Sequence, residues 1–196
     1  MHLTPLVTST RMGNAAGVHL QLKLESMQRT GSFKSRGALN AMMQLSAAEK
    51  AKGVVTVSAG NHAQSLAWAA RLVGVESIAC MSEAASKSKI EATKGYGGKV
   101  ELVPGEKVKV FDRANEIAAN GRVMIHPFED SRVAAGAGTV ALEMLEQAPD
   151  LEVIVVPIGG GGRKVQRLGR LIDRKSCEMA QLDQLALDGI LFRKQI

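Results

Sequence analysis

The chain has 196 residues, 45% of them hydrophobic, which is enough to bury a core as one domain or two small ones. No apolar run approaches the roughly 18 to 20 residues of a membrane-spanning helix. The first ten residues also lack the charged start and long apolar stretch of a secretory signal. These features argue against a disordered, collagen-like or membrane-spanning chain, and we expect a cytoplasmic protein with no membrane partner.

The two cysteines, Cys80 and Cys177, are too few for a disulfide framework, and neither has a neighbour at metal-ligand spacing. We therefore expect a reducing compartment and no metal site.

The net charge of +6 is concentrated at one end of the chain. Residues 1–162 carry 17 basic and 15 acidic side chains, whereas residues 163–196 carry 8 basic and 4 acidic ones. Aromatic residues make up 3% of the chain, so few rings are available for stacking on bases. We expect no nucleic acid partner, because rings are few and +4 of the net charge of +6 lies in the last 34 residues.

The first predicted elements are a strand over 18–24, where apolar residues alternate, and a helix over 32–45 with Ser32 as its N-cap. From residue 54, β-branched runs alternate with segments of helical period, which is typical of βαβ units with a parallel sheet. The predicted strands are 54–58, 77–81, 99–103 and 123–126, and the predicted helices between them are 62–74, 86–96 and 107–120.

A helix over 131–147 and a strand over 152–157 follow this lobe. We expect the segments that flank the lobe to pair with each other. The predicted organisation is a small βα domain over 53–128 and a partial large domain built from 1–50 and 129–162. For residues 163–196 we expect a divergent basic tail of one or two amphipathic helices with no strand.

Four consecutive glycines, Gly159, Gly160, Gly161 and Gly162, follow the predicted strand 152–157. Such a loop can present backbone N–H groups to a phosphate. It lacks the Gly-Lys-Ser/Thr ending of a P-loop and the G-x-G-x-x-G pattern of a dinucleotide fold. A plain tight turn and a nucleotide-binding loop stay open as alternatives.

Ser58, Ala59, Gly60, Asn61 and His62 lie where a strand ends and a helix begins, the place where open α/β sheets bind ligands. The N–H groups at the start of the helix suit a carboxylate or phosphate. The alternative is that Asn61 only caps the helix.

Lys34 falls in the first turn of its predicted helix, where the helix dipole disfavours a positive charge. This position favours the neutral amine that a nucleophilic or Schiff-base lysine needs. The alternative is a solvated lysine on an exposed turn.

Four segments together resemble one enzyme family. They are LKLESMQRTGSFKSRGA (22–38), SAGNHAQ (58–64), HPFEDSRVAAGAGTVALEML (126–145) and VVPIGGGG (155–162). In order and separation they resemble the serine/threonine dehydratase family of fold-type II pyridoxal phosphate enzymes. The resemblance covers residues 3–162. It implies an α/β fold of the tryptophan synthase β type, with a complete small parallel-sheet lobe and an incomplete large domain.

The resemblance also implies roles for these residues. Lys34 would hold pyridoxal phosphate covalently and act as the catalytic base, and Phe33 would pack beside the cofactor. Asn61 would hydrogen-bond the phenolic oxygen of the ring. The cofactor phosphate would lie on Gly159, Gly160, Gly161 and Gly162, and the substrate carboxylate on Ser58, Gly60, Asn61 and His62.

The activity implied is β-elimination of L-threonine or L-serine to a 2-oxo acid and ammonia, with a small amino acid as the partner and homo-oligomerisation left open. Racemases of the family resemble this chain closely, but they carry a second serine at the position of Ala59. An alanine cannot move a proton, so elimination is favoured over racemisation.

Beyond Gly162 the chain departs from the family, which normally continues for more than a hundred residues. Ala137 stands where the family usually has glutamine, and Ser82 where it usually has proline. We therefore expect a form truncated after the glycine loop, and an inactive fragment is a further alternative to an active lyase or racemase.

Overall fold

The computed structural model describes residues 1–156 and the backbone of 190–194. Its elements in chain order are β1 (Leu6–Thr8), α1 (Thr10–Ala16), β2 (Val18–Lys23), α2 (Lys34–Met43), α3 (Ala47–Lys52), β3 (Val54–Val57), α4 (Asn61–Leu72), β4 (Ser77–Ser82), α5 (Lys87–Gly95), β5 (Lys99–Val103), α6 (Lys107–Ala119), β6 (Val123–Met124), α7 (Ser131–Gln147), β7 (Val153–Val155) and β8 (Ile190–Lys194).

Two compact units make up the chain. The central unit is Lys34–Gly136, and the terminal unit joins Met1–Phe33 to the described part of Ala137–Ile196. None of the helices in the described residues is long and apolar enough to cross a membrane.

The central unit contains a parallel sheet in the order β5-β4-β3-β6, as the alternation of strands and helices predicts. Successive residues of β3 point to opposite faces of the sheet. Val54 packs with Met42 and Leu66 of helices α2 and α4, whereas Val55 packs with Val110 of α6. The strand is therefore buried on both faces, and the carboxyl ends of β3, β4 and β5 share one edge of the sheet.

The terminal unit contains an antiparallel sheet in the order β1-β2-β8-β7. Strand β8 corrects the prediction that the tail holds no strand, because Ile190–Lys194 pairs with both β2 and β7. Ile190 and Phe192 are residue types that favour strands. Their pairing partners are far away in sequence, so helical spacing along the tail could not reveal the strand. The rest of the tail and the glycine loop lie outside the described residues.

Three elements were missed by periodicity because they are short: β1, α1 and α3. Helix α3 did carry a local signal. The Ser46 hydroxyl accepts from the Glu49 amide at 3.2 Å, and the Glu49 carboxylate accepts from the Ser46 amide at 2.8 Å. This reciprocal pair is a capping box, which the sequence S-x-x-E at 46–49 indicates.

A buried polar network joins three segments of the terminal unit. The Lys23 amine, whose side chain is fully buried, donates to the Thr4 carbonyl at 2.8 Å, to Glu143 Oε2 at 2.8 Å and to Gln147 Oε1 at 2.7 Å. Thr4 Oγ1 donates to Glu25 at 2.6 Å. The network satisfies all three amine protons and ties the N-terminal segment to β2 and α7.

Candidate functional site

Lys34 is the first residue of α2. Its side chain is half-buried, and Nζ donates a hydrogen bond to the Pro127 carbonyl at 3.0 Å. The location at a helix start is confirmed, and the alternative of a fully solvated lysine is wrong because this amine has a protein acceptor. Helix α2 begins at Lys34, two residues after the predicted start at Ser32, which is itself extended.

The backbone around Lys34 is fixed where α2 crosses the start of α7. A Cβ on Gly37 would lie 2.4 Å from the Val133 carbonyl oxygen, and one on Gly136 would lie 2.6 Å from the Arg36 carbonyl oxygen. The Asn40 amide also donates to the Arg132 carbonyl at 2.7 Å. The helices approach this closely because both glycines lack a side chain, and the contact sets the position of α2.

The segment between β3 and α4 contains the second group of predicted site residues. Gly60 is the N-cap of α4 and Asn61 is the first helical residue, so the alternative in which Asn61 caps the helix is wrong. Ser58 Oγ accepts from the Gly60 amide at 3.2 Å. Among the described residues, no side chain caps α4. Its first N–H groups are therefore available to an anion, and the exposed Asn61 side chain stands beside them.

His62 lies in the first turn of α4 and is 3% exposed. Burial, followed by the positive charge of Lys34, lowers the pKa of His62 from 6.5 to about 3. Nε2 lies 3.4 Å from the Ile125 carbonyl oxygen, which can only accept, so the ring proton belongs on Nε2. Nδ1 is buried and has no partner among the described residues. The neutral ring offers an anion no positive charge, which leaves the backbone N–H as the donor at this position.

A cavity of about 600 Å³ opens to solvent at the carboxyl edge of the parallel sheet. It is lined by Ala59 after β3, by Ser82, Ala84 and Ala85 at and after the end of β4, and by residues 105–108 at the start of α6. This is the edge at which open α/β sheets bind ligands.

The central unit brings together Lys34, Ser58, Gly60, Asn61 and His62. Phe33 belongs to the terminal unit, where it is buried with Ala137, Val140 and Met144. The glycines at 159–162 lie outside the described residues. No cluster of three metal-ligating side chains occurs in the part of the chain that the structure describes.

Sequence reasoning missed two groups near Lys34 and His62. The Pro127 carbonyl accepts from Lys34, and the Thr56 hydroxyl donates to the Ile125 carbonyl at 2.7 Å. Pro127 lies within the quoted segment HPFEDS, but a carbonyl acceptor leaves no signature in the type of its residue. Thr56 lies inside a predicted strand, where a threonine reads as an ordinary β-branched residue.

A model of the family described as "Pyridoxal-phosphate dependent enzyme" matches residues 2–163. The chain belongs to this family. The predicted family, fold type and cofactor are thereby confirmed.

Two curated relatives from the family illustrate its range. An L-threonine ammonia-lyase of Thermotoga maritima is 44% identical over 167 residues, which are 83% of this chain and 41% of the relative. A serine racemase of Arabidopsis thaliana is 41% identical over 165 residues, covering 83% of this chain and 49% of the relative. The chain thus spans less than half the length of these relatives.

Solved structures agree with the fold. Maize serine racemase superposes with a TM-score of 0.79 at 38% identity, over 82% of this chain and 49% of the racemase. The processed form of threonine deaminase isoform 2 from Solanum lycopersicum superposes with a TM-score of 0.78 at 36% identity, over 82% of this chain and 44% of the deaminase.

The described donors fit pyridoxal phosphate and an amino acid. An aldehyde needs an amine, and Lys34 provides one that is held at a helix start rather than free in solvent. A carboxylate needs N–H donors, and the uncapped start of α4 provides them. At the same helix start His62 Nδ1 is a buried acceptor with no partner among the described residues, and a ligand group that donates a hydrogen bond would satisfy it.

Proposed function

We propose that this pyridoxal-phosphate-dependent chain eliminates the β-hydroxyl of L-threonine or L-serine, giving a 2-oxo acid and ammonia. The observation that carries the choice of reaction is Ala59. Its methyl group packs with Ala63, Met81 and neighbouring side chains of the α4–β4 core and carries no proton. The identity to L-threonine ammonia-lyases supports the same reading.

Lys34 is the residue that would hold the cofactor. Pyridoxal phosphate bound there supplies an electron sink for negative charge at the substrate Cα. A neutral Lys34 amine would take the substrate Cα proton as a general base. Its hydrogen bond to Pro127 supports this role because it keeps the amine at the head of α2.

Ser58, Gly60, Asn61 and His62 would bind the substrate carboxylate. The uncapped N–H groups at the start of α4 supply the donors, and the positive end of the helix favours the anion. His62 acts through its backbone, because its ring is neutral. The Asn61 amide would donate to the phenolic oxygen of the cofactor ring, Phe33 would pack beside the cofactor, and the glycines at 159–162 would hold its phosphate.

Serine racemisation is the second candidate, since serine racemases are also among the relatives and solved structures. The two reactions share removal of the Cα proton by Lys34. They differ in whether a second group returns a proton from the opposite face. At position 59 this chain offers a methyl group, which favours elimination.

The test incubates the full chain with pyridoxal phosphate and either L-threonine or L-serine. We expect 2-oxo acid to form faster than D-serine, and we expect Lys34→Ala to abolish both products. Lys94→Ala, which changes an exposed lysine of α5, is the matched control and retains activity. Faster formation of D-serine than of pyruvate contradicts the elimination proposal. No product and no cofactor-bound visible absorption would identify the chain as an inactive fragment.

A further inference from the structure

The acceptor of the Lys34 amine belongs to a short segment that leaves the parallel sheet. Strand β6 pairs with β3 at Val54 and Val55, and the Ile125 amide extends this pairing by donating to the Val55 carbonyl at 2.9 Å. Two residues later Pro127 has no N–H to donate, so the strand cannot continue. The chain turns away, and the Pro127 carbonyl accepts from Lys34.

Side chains hold the Ile125 carbonyl at the point where this segment leaves the sheet. Thr56 Oγ1 donates to it at 2.7 Å, and His62 Nε2 lies 3.4 Å away. Thr56 and Ile125 are both fully buried. The bond from Thr56 is the shorter of the two and therefore the stronger, so the Thr56 hydroxyl does most to fix where the segment begins.

The position of the Ile125 carbonyl closely determines that of the Pro127 carbonyl, because the backbone between them is restricted. Proline fixes its own φ at about −65° and restricts the backbone conformation of the residue before it. His126 is held in addition, since its Nδ1 accepts from the Glu129 amide at 2.9 Å. A shift of the Ile125 carbonyl therefore moves the Pro127 carbonyl and, with it, the Lys34 amine.

We propose that Thr56 is a positioning residue for Lys34, acting through the Ile125–Pro127 segment. The inference rests on the proposed function, in which Lys34 reacts with the cofactor aldehyde. Thr56 touches neither cofactor nor substrate in this role. It sets the orientation of the amine before the amine reacts.

The test measures how fast Lys34 is fixed by pyridoxal phosphate and cyanoborohydride in the full chain, with each lysine quantified by peptide mass spectrometry. Thr56→Val keeps the shape but removes the hydroxyl, and we expect it to slow fixation at Lys34 roughly fivefold, the effect of losing one hydrogen bond. Thr56→Ser keeps the hydroxyl and is expected to stay within about twofold of wild type. The circular dichroism of the bound cofactor should change in Thr56→Val only.

Thr93→Val is the matched control. Thr93 is equally buried in the central unit, and its hydroxyl also donates to a backbone carbonyl, that of Lys89, at 2.9 Å. Its substitution makes the same chemical change in α5, away from the Ile125–Pro127 segment. We expect the same loss of thermal stability as in Thr56→Val but an unchanged rate at Lys34. Equal slowing in both variants would show a general structural effect and overturn the inference.

A second variant covers the case in which Thr56→Val does not fold. Pro127→Ala leaves Thr56 in place but frees the acceptor carbonyl, and it should slow fixation at Lys34 by a similar factor. If Thr56→Val folds and reacts at the wild-type rate, the inference is overturned. If Thr56→Val does not fold, a wild-type rate in Pro127→Ala overturns it. Either result leaves Lys34 as the cofactor lysine. Failure of wild type to react selectively at Lys34 contradicts the proposed function, and the inference with it.

Discussion

At the scale of single residues, Ala59 is expected to control the ratio of elimination to racemisation. Its side chain packs with Ala63 and Met81 and lines the cavity at the carboxyl edge of the sheet. Ala59→Ser adds a hydroxyl that can carry a proton. We expect the ratio of D-serine to pyruvate formed from L-serine to rise at least severalfold, measured by chiral chromatography. An unchanged ratio would mean that residue 59 does not decide the outcome.

His62 is expected to make stability depend on pH. Its pKa is about 3 in the folded chain and 6.5 ordinarily, because burial, followed by the charge of Lys34, outweighs the hydrogen bond to the Ile125 carbonyl, which raises the pKa. Below pH 6.5 the unfolded chain binds the proton and the folded chain does not. Stability is therefore full above that pH and falls as the pH drops towards 3, by up to about 1.4 kcal/mol per pH unit.

His62→Gln cannot titrate in this range. We expect the variant to be less stable than wild type near neutral pH but to lose less stability on acidification. Urea unfolding at about pH 7, 6 and 5 measures how the free energy of unfolding of each protein changes with pH. Parallel slopes for the two proteins would contradict the assignment of this pH dependence to His62.

At the scale of elements, the contact between α2 and α7 depends on glycine. A Cβ on Gly136 would lie 2.6 Å from both the Arg36 carbonyl oxygen and Asn40 Cβ, neither of which can rotate away. We expect Gly136→Ala to destabilise the chain by about 1 to 3 kcal/mol, because overpacking outweighs the gain in helix propensity. Denaturant titration measures the change.

Gly95→Ala provides the comparison. Gly95 ends α5 with nothing within 4 Å of an added Cβ. The same substitution there is expected to leave stability unchanged or to raise it by up to about 1 kcal/mol. A stabilising Gly136→Ala would show that the two helices can separate without penalty.

The elements of the central unit were largely predictable from sequence. Helix α7 has the predicted bounds, and α4, α5 and α6 differ from prediction by one or two residues at their ends. Strand β6 is shorter than predicted because its pairing with β3 ends at the Ile125 amide, two residues before Pro127. Apolar periodicity and glycine stops are local features, which is why they located these elements.

At the scale of the whole molecule, the buried Lys23 links residues that are more than a hundred positions apart. We expect Lys23→Met to destabilise the chain by about 3 kcal/mol, because it removes a buried cation together with its bonds to Thr4, Glu143 and Gln147. Adding Glu143→Leu should recover part of the loss, since the partly buried carboxylate that Lys23 balanced is then gone too. Urea unfolding of the single and double variants tests this.

Lys99→Met is the control for Lys23→Met. Lys99 pairs with Glu76, but its side chain is 65% exposed. We expect a change within about 0.5 kcal/mol, as for other solvent-exposed pairs. Equal losses of stability from Lys23→Met and Lys99→Met would contradict the idea that the Lys23 network stabilises the chain more because it is buried.

The sequence by itself determined the α/β class, the family, the cofactor and the location of Lys34 at a helix start. The domain boundaries and the roles of the site residues stay predictions. Only the tertiary structure showed that the Lys34 amine binds the Pro127 carbonyl and that the His62 ring is neutral. It also showed that the Thr56 hydroxyl donates to the carbonyl of Ile125, two residues before Pro127. Periodicity and motifs act over a few neighbouring residues, whereas a carbonyl 93 positions from its donor becomes a partner only when the fold closes.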